Sequence, residues 1–400
     1  MKKYLFLLAV VPMLFACPKP TPIDPTQPKL VWKTKLFDGL AGSIYPILCT
    51  NSVIYSIDKD LASTALILSL NKNTGAKEWE WNDYQQPITS AISDGSGVSI
   101  YSRNDKIVFP VSSRNYAIDV KTGKTFWQTQ GDIAAPYVRG IGDVCLQVKA
   151  KQIGGEDQPY VSKCNINTGQ WQTVFTDTIV KDFKPFAALS LPYVDTNGDT
   201  LIIYLKTLYR FPPNEARRSL IYCFNMSKNK MIYTKEILPN ESLSGLPTIY
   251  KNKIYTPSGN KLVCLDITTG DKVWVSNPIN QSNSVFTNFT VAEDKVLAGN
   301  ENSSLYCYDA NTGQLVWEKD KSIANTNSIN KPSVLNGIMY YNAGTKLYAV
   351  DIQTGEFLWQ YKAETGNSNA FLNRSLTIDP IAKRIYAHDY QNAYCFEAIR

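Results

Sequence analysis

A strand–turn–strand motif recurs along the chain and constrains its fold more than any other feature. The clearest copy spans residues 262–274, LVCLDITTGDKVW. Alternating apolar residues lead to Asp266, Gly270 closes a tight turn, and Val273 and Trp274 begin the return strand. The pattern returns at three further segments, residues 116–127, 306–317 and 348–359. Such a repeat predicts a chain built from similar small β-sheets.

Seven copies of the motif lie within the chain. Six have a turn glycine: Gly75, Gly123, Gly169, Gly270, Gly313 and Gly355. The seventh, residues 221–233, has Asn229 in this position, and asparagine tolerates a left-handed backbone better than most residues. A tryptophan follows the glycine by four residues in five copies. After Gly169 the tryptophan is Trp171, two residues on, which we expect on the same face of the strand.

The eighth copy is divided between the two ends of the chain. Residues 393–400, AYCFEAIR, match the first strand and stop before a turn, whereas residues 29–36 contain the tryptophan strand with Trp32. We predict that these two segments pair and close a ring. A second hairpin precedes the motif, as in residues 332–341, and glycine spacings are mostly 42 to 48 residues. The sequence therefore predicts an all-β protein, an eight-bladed β-propeller of four-stranded antiparallel blades over residues 29–400.

The motif tryptophans are predicted to hold neighbouring blades together. Six residues before the turn glycine, or its equivalent, stands a small residue in seven of the eight copies, for example Ala117 and Cys264. We expect each ring to lie across the next blade against such a small residue. The predicted docking residues are Trp32, Trp79, Trp127, Trp274, Trp317 and Trp359.

The pattern Ala-x-Asp-x-x-Thr-Gly-x-x-x-Trp, seen in residues 117–127, resembles the repeat of the pyrroloquinoline-quinone (PQQ) propellers. The resemblance extends over nearly all of residues 29–400. The family includes quinoprotein dehydrogenases and BamB-type outer-membrane assembly lipoproteins, which bind no quinone. A dehydrogenase of this family is expected to have adjacent cysteines in a ring-stacking disulfide and a set of carboxylates for calcium. No two cysteines are adjacent here and no such set is recognisable. We therefore predict no cofactor, no metal and no catalytic residues.

The N-terminus predicts export and lipid attachment. Lys2 and Lys3 precede an apolar run, residues 4–15, that is too short to span a bilayer. The next residues resemble a bacterial lipoprotein cleavage site, which predicts a signal peptide over residues 1–16 and lipid on Cys17. Acyl chains on one cysteine give stable anchoring. The alternative is an ordinary secretory signal with an incidental Cys17.

Residues 17–28 follow as a tether that contains five prolines. Pro18 stands where an inner-membrane lipoprotein has aspartate, so the outer membrane is favoured, with the membrane face left open. The formal net charge is +6 over the whole chain, and 39 basic residues face 35 acidic ones once Lys2 and Lys3 are removed. No concentrated basic stripe is visible in the sequence, so no nucleic-acid partner is predicted.

The cysteines and the histidine have structural interpretations. Cys223, Cys264, Cys307 and Cys395 occupy the small docking position, Cys164 lies one residue away from it, and Cys49 and Cys145 lie in second strands. We expect buried free thiols, with disulfides as the alternative in an oxidising compartment. The single histidine, His388, is predicted in a short loop rather than in a catalytic triad. Residues 195–199, DTNGD, resemble a calcium loop, but Thr200 and Lys206 stand where glycine and glutamate are needed, so a hairpin turn is predicted.

Two insertions provide a candidate binding surface. Residues 148–160 and 206–219 lengthen the link between the second and third strands of adjacent blades, on the face opposite the Thr-Gly turns. We expect the two insertions to be neighbours. The second contains residue types that are frequent at interface hot spots: Tyr209, Arg210, Phe211, Arg217 and Arg218. The alternative is loop decoration without a partner.

The leading functional prediction is a non-catalytic, monomeric, membrane-anchored propeller that binds another cell-envelope protein. A role in outer-membrane protein assembly is implied by the resemblance to BamB. Two alternatives stay open: binding of a small ligand or glycan on stacked Tyr and Trp side chains, and a less favoured PQQ-dependent oxidoreductase.

Overall fold

The computed structural model describes most of the propeller body. The described residues are 27–36, 45–59, 64–81, 100–111, 114–130, 134–154, 156–178, 180, 183–210, 215–279, 285–301, 304–319, 330–362, 376–389 and 391–399. The predicted signal peptide, Cys17 and nearly all of the predicted tether lie outside them. Within these ranges, no helix is long and apolar enough to cross a membrane.

The described residues form eight four-stranded antiparallel sheets, which are the predicted eight blades. Blade 1 contains β2 (Tyr45–Leu48), β3 (Ser52–Lys59), β4 (Thr64–Asn71) and β5 (Lys77–Glu80). Blade 2 contains β6 (Tyr101–Arg103), β7 (Lys106–Val111), β8 (Arg114–Asp119) and β9 (Thr125–Gln130). Blade 3 contains β10 (Ala134–Ile141), β11 (Val144–Ile153), β12 (Glu156–Asn165) and β13 (Trp171–Thr176). Blade 4 contains β14 (Lys184–Val194), β15 (Thr200–Arg210), β16 (Ala216–Asn225) and β17 (Lys230–Pro239).

The remaining four blades repeat this order. Blade 5 contains β18 (Thr248–Tyr250), β19 (Lys253–Ser258), β20 (Lys261–Asp266) and β21 (Lys272–Val275). Blade 6 contains β22 (Phe286–Ala292), β23 (Lys295–Asn300), β24 (Leu305–Asp309) and β25 (Leu315–Lys319). Blade 7 contains β26 (Ser333–Leu335), β27 (Ile338–Ala343), β28 (Lys346–Asp351) and β29 (Phe357–Lys362). Blade 8 contains β30 (Thr377–Asp379), β31 (Arg384–His388), β32 (Asn392–Glu397) and β1 (Leu30–Lys35).

Blade 8 closes the ring with strands from both ends of the chain, as predicted. Strand β1 pairs antiparallel with β32, and Trp32 lies opposite Cys395. The Lys29 ammonium lies 2.9 Å from a carboxylate oxygen of Glu397. The first strand of the body is therefore the outermost strand of the last blade.

Each motif turn is held by its acidic or amide side chain. Asp266 Oδ1 accepts hydrogen bonds from the backbone N–H groups of Thr268 and Thr269, at 2.8 and 2.9 Å. Gly270 has a φ of 70°, a left-handed conformation that glycine adopts without strain. Asn229, in the copy without glycine, adopts a φ of 50°. The degenerate copy therefore keeps the same turn geometry.

Five of the six predicted docking tryptophans lie on the turn glycine of the next blade, whereas the ring of Trp359 packs 6.3 Å from that of Phe396 in blade 8. A Cβ added to Gly123 would lie 2.5 Å from Cε3 of Trp79, and the Trp79 indole N–H donates to the carbonyl oxygen of Val120 at 2.7 Å. The same close approach joins five more aromatic–glycine pairs: Trp32 with Gly75, Trp127 with Gly169, Tyr233 with Gly270, Trp274 with Gly313, and Trp317 with Gly355. The turn glycine is therefore both the left-handed residue and the docking surface.

The small residue has a different place from the one predicted. Ala117 is the direct cross-strand neighbour of Trp127 in the same blade, and Cys264 is that of Trp274. Cross-strand neighbours share one face of a sheet. The small side chain therefore makes room beside the ring within its own blade, and the ring docks on the glycine turn of the next one.

Trp171 breaks the pattern, and the prediction that it stays on the same strand face was wrong. In blade 2 the register shifts by one residue between Thr125 and Trp127, so these two side chains point to opposite faces. Trp171 pairs with Cys164 and occupies the place of Thr125. Its indole N–H donates to Thr129 Oγ1 of the preceding blade at 3.1 Å.

Two turn glycines allow backbone strain and ring docking to be separated. Gly123 and Gly142 are both left-handed, but an added Cβ at Gly142 would meet nothing within 4 Å. Gly142→Ala is expected to cost about 1–2 kcal/mol for the backbone alone, whereas Gly123→Ala is expected to cost about 3 kcal/mol or more because it also displaces Trp79. Urea denaturation followed by tryptophan fluorescence measures both. Equal losses would contradict docking on the glycine.

His388 and the cysteines are buried in the sheets. His388 is the last residue of β31 and is fully buried, so its prediction as a loop residue was wrong. Its Nδ1 lies 3.2 Å from the carbonyl oxygen of Asp389. The seven cysteines within the described ranges are free thiols in this structure, and all except Cys49 are buried.

Candidate partner-binding surface

Blades 3 and 4 carry the longest hairpins between second and third strands. Strands β11 and β12 have 10 residues each, and β15 and β16 have 11 and 10. The equivalent strands β23 and β24 of blade 6 have 6 and 5. The predicted insertions are therefore mostly strand extensions rather than loops, because their alternating residues continue the ladder. Both lie on the face opposite the Asp–Gly turns.

The two extended hairpins are neighbours, as expected from their place in adjacent blades. Strand β14 packs against β10, β11 and β12 of blade 3. Between the blades, the ring of Phe175 lies 5.5 Å from that of Tyr204 and 5.1 Å from that of Phe224. Aromatic packing therefore holds the outer strand of blade 3 against the extended hairpin of blade 4.

A buried ion pair replaces the tryptophan–glycine docking at this interface. Asp177 Oδ2 accepts hydrogen bonds from the Lys206 ammonium at 2.6 Å and from the Tyr204 hydroxyl at 3.0 Å. The side chains of Asp177 and Lys206 are each 1% exposed. Burial lowers the pKa of Lys206 and the Asp177 carboxylate opposes that shift. Trp171 faces away and Asn229 replaces the turn glycine of blade 4, so the ion pair and the aromatic packing together take the place of ring docking at this interface.

The outer end of blade 4 carries a cationic stripe, defined here as Lys184, Tyr209 and Arg217. Tyr209 of β15 pairs with Lys184 on one side and with Arg217 on the other, so the three side chains share one face. The Arg217 guanidinium carbon lies 5.9 Å from the centre of the Tyr209 ring. Lys184 and Arg217 are exposed. Two cations around one aromatic ring suit an acidic segment that also has an apolar group.

The other predicted residues have different surroundings. The Arg210 guanidinium carbon lies 5.3 Å from the centre of the Phe183 ring. Arg218 binds the Glu236 carboxylate with two N–H groups, at 3.1 and 3.3 Å, so it is engaged within its own blade. Phe211 lies outside the described residues. Two of the five predicted residues, Tyr209 and Arg217, therefore belong to the cationic stripe.

Lys184 was missed by sequence reasoning because it lies on another strand, 25 residues before Tyr209. Only the register of β14 against β15 reveals their pairing. Partial burial, together with the neighbouring Glu215 carboxylate, raises the pKa of Tyr209. The Tyr209 hydroxyl is hydrogen-bonded to this carboxylate, so Tyr209 presents its ring rather than a free hydroxyl at the surface.

Comparison with protein families matches residues 18–180 and 217–400 to the family described as outer membrane protein assembly factor BamB. The chain belongs to the BamB family. No curated protein sequence matches it significantly.

Solved structures show how widely the fold of this BamB-family chain is shared. BamB from Moraxella catarrhalis is 17% identical, with a TM-score of 0.60, and the match covers 92% of this chain and 97% of that protein. A europium-containing methanol dehydrogenase is 14% identical, with a TM-score of 0.60 and coverage of 92% and 93%. The quinohemoprotein alcohol dehydrogenase ADHIIG from Pseudomonas putida is 12% identical, with a TM-score of 0.61 and coverage of 92% and 76%. At these identities the likeness concerns the fold alone.

The residues present do not match a quinone site of the dehydrogenase kind. None of the eight cysteines has a cysteine neighbour in sequence. In the described part of this BamB-family chain, no group of three or more His, Cys, Asp or Glu side chains could hold a metal ion. The calcium-like segment is a hairpin turn, as predicted, in which Asp195 Oδ1 accepts from the N–H groups of Asn197 and Asp199 at 2.9 and 2.8 Å.

The aromatic side chains that a glycan site would need are largely used in blade packing. The largest fully buried side chains include the following aromatic residues: Trp81, Tyr55, Tyr204, Tyr255, Tyr340, Tyr341, Tyr386 and Tyr394. Rings inside blade interfaces are not available as stacking platforms. The cationic stripe is therefore the best-supported recognition surface in the described residues.

Proposed function

We propose that the protein is a non-catalytic scaffold of the cell envelope that binds another envelope protein through its cationic stripe. The observation that carries the proposal is the row formed by Lys184, Tyr209 and Arg217 on the longest blade. Membership of the BamB family supports a role in outer-membrane protein assembly. The partner segment that fits this row is acidic, with an apolar or aromatic side chain beside its carboxylates.

The direction of the first strand supports this use of the stripe. Leu30 pairs with Phe396, at the end of β32 where other blades have their Asp–Gly turn. The chain therefore enters blade 8 on the face opposite the extended hairpins. With lipid on Cys17, a tether over residues 17–28 would reach up to about 35 Å at roughly 3 Å per residue. The stripe would then face away from the anchoring membrane, toward a partner.

Charge reversal on the stripe tests the proposal. The Lys184→Glu/Arg217→Glu double variant is expected to lower recovery of the co-purified partner at least about tenfold, because attraction to an acidic segment becomes repulsion. Recovery by the unmodified protein is expected to fall with rising salt. The measurement is crosslinking in intact cells, followed by quantification of the captured species in the membrane fraction.

Lys272→Glu is the matched control, because Lys272 is an exposed cation on β21 of blade 5, away from the stripe. It is expected to keep full recovery. All variants should melt at the temperature of the unmodified protein, since these lysine and arginine side chains are on the surface. Equal recovery by the double variant and the control would rule out the stripe as the binding surface.

A further inference from the structure

Two cysteines face each other in blade 3. Cys145 on β11 is the direct cross-strand neighbour of Cys164 on β12. Both are fully buried and belong to one apolar cluster with Val108 and Ala117 of blade 2. A hydrogen bond between the two thiols, together with burial, raises the pKa of Cys145 well above its usual range. The two sulfur atoms therefore lie close together in the same apolar space.

The other blades serve as an internal comparison for this position. They hold apolar pairs there: Val53 with Leu70, Ile107 with Ile118, Ile202 with Phe224, Ile254 with Leu265, Val296 with Tyr308, Met339 with Val350, and Ile385 with Phe396. Among the eight described blades, only blade 3 has two cysteines at this position. The docking-position cysteines face other residues across the ladder: Cys223 faces Ile203, Cys264 faces Tyr255, Cys307 faces Leu297 and Cys395 faces Tyr386. Cys145 and Cys164 are thus the one pair at this position in which both strands carry a cysteine instead of a larger apolar residue.

The backbone geometry at this pair is compatible with a bridge. The backbone N–H of Ile166 donates to the carbonyl oxygen of Asp143 at 3.0 Å. The alternation of an antiparallel ladder then makes Cys145 and Cys164 a hydrogen-bonded pair, for which the Cα atoms are about 5.5 Å apart. Bridged cysteines usually have Cα separations of about 4.4–6.8 Å. The expected Cα separation of the pair therefore lies within the range seen for bridged cysteines.

We propose that Cys145 and Cys164 form a disulfide as the chain folds outside the cytoplasm. The Cys145 thiolate attacks one sulfur of a donor disulfide, forms a mixed disulfide with it and releases the other sulfur as a thiolate, which takes up a proton. The Cys164 thiolate then attacks the Cys145 sulfur of the mixed disulfide and releases the second donor thiolate, which is also protonated. The two cysteines are oxidised, and the donor disulfide is reduced to two thiols. Because both side chains are buried in the folded blade, the exchange occurs before β11 and β12 close.

The bridge would tie together the base of the extended hairpin of blade 3. Its formation in the cell depends on the proposed export, because disulfides persist in oxidising compartments. The pairing itself depends only on the register of β11 and β12. A failure of the bridge would therefore leave the proposed partner binding untouched.

Peptide mapping tests the bridge directly. The full chain is unfolded with reductant, refolded with reduced and oxidised glutathione, treated with N-ethylmaleimide and digested with trypsin, which cuts after Lys149, Lys151 and Lys163. We expect the peptides that contain Cys145 and Cys164 to be joined, and to separate on treatment with dithiothreitol. Both cysteines carrying N-ethylmaleimide, with no joined peptide, would overturn the proposal.

A stability measurement adds a second readout. The Cys145→Val variant matches the apolar residue of blades 1 and 6 at this position, where Val53 and Val296 stand. Dithiothreitol is expected to lower the melting temperature of the unmodified protein by several degrees, because it releases the constraint on the unfolded chain. The variant should show no such change. An equal response of both proteins would count against the bridge.

Discussion

Asp177→Ala is expected to lower the free energy of unfolding by about 3–5 kcal/mol, because it leaves the Lys206 ammonium buried without its carboxylate. Lys206 Nζ lies 2.6 Å from Asp177 Oδ2, and both side chains are withdrawn from water. The Tyr204 hydroxyl also loses its acceptor. Chemical denaturation followed by tryptophan fluorescence measures the loss.

The Asp177→Ala/Lys206→Met double variant is the control for this prediction. It removes both charges and keeps an unbranched apolar side chain in place of the lysine stem, so it is expected to recover most of the lost stability. Two results would disprove the interpretation of the ion pair. One is an Asp177→Ala variant within about 1 kcal/mol of the unmodified protein, and the other is a double variant as unstable as the single one.

Trp274→Ala and Trp317→Ala are each expected to cost about 3 kcal/mol, the lower end of the range for core aromatic side chains, because both rings are partly buried. Each ring lies on the turn glycine of the next blade, and each indole N–H donates to a carbonyl oxygen of that turn, Ala310 at 3.0 Å and Ile352 at 2.9 Å. Thermal melts measure the loss. Unchanged melting in both variants would disprove docking between blades.

Conservative substitutions separate the ring from its hydrogen bond. Trp274→Phe keeps an aromatic ring on Gly313 but removes the indole N–H, which should cost about 1 kcal/mol beyond the smaller ring contact. Trp359 is the matched control, because its buried indole N–H has no hydrogen-bond partner among the described residues. Trp359→Phe is therefore expected to cost less than Trp274→Phe. The reverse order would show that the indole hydrogen bond contributes little.

The propeller could be predicted from the sequence because the motif recurs in register and each copy is local. Asp266, Gly270 and Trp274 lie within nine residues, so their turn and strand can be read from spacing alone. The position of Trp171 could not be read in this way. In blade 2, a β-bulge places the residue two positions after the turn glycine on the opposite face from the residue four positions after it. The spacing of residues along the sequence gives little indication of such a bulge.

The binding surface was harder to predict because its residues meet through strand register. The sequence indicated Tyr209 and Arg217, which lie on one hairpin, but not Lys184, which reaches Tyr209 across β14 and β15. The pairing of Asp177 with Lys206 joins two blades and has no local signature. Contacts between strands that are distant in sequence therefore had to come from the structure.

The extended hairpin of blade 3 was predicted as an insertion because it contains residues typical of turns. Gly154 follows the last residue of β11 and is left-handed, with a φ of 62°. Pro159, in contrast, lies within β12, opposite Ala150 of β11. Turn residues indicate that a hairpin exists, but how far its ladder extends depends on pairing that the sequence does not display.

Pairing of the first strand with the last sets the order in which the molecule can be completed. Lys29 and Glu397 are 368 residues apart in sequence and meet in blade 8. While the chain is being synthesised, β1 has no partner until residues 392–397 exist. A contact between residues so distant in sequence forms late in folding. The entropic cost of closing a loop rises only slowly with loop length, so the finished contact can still be stable. Seven blades can therefore assemble in sequence, but the ring closes only when β32 is available to pair with β1.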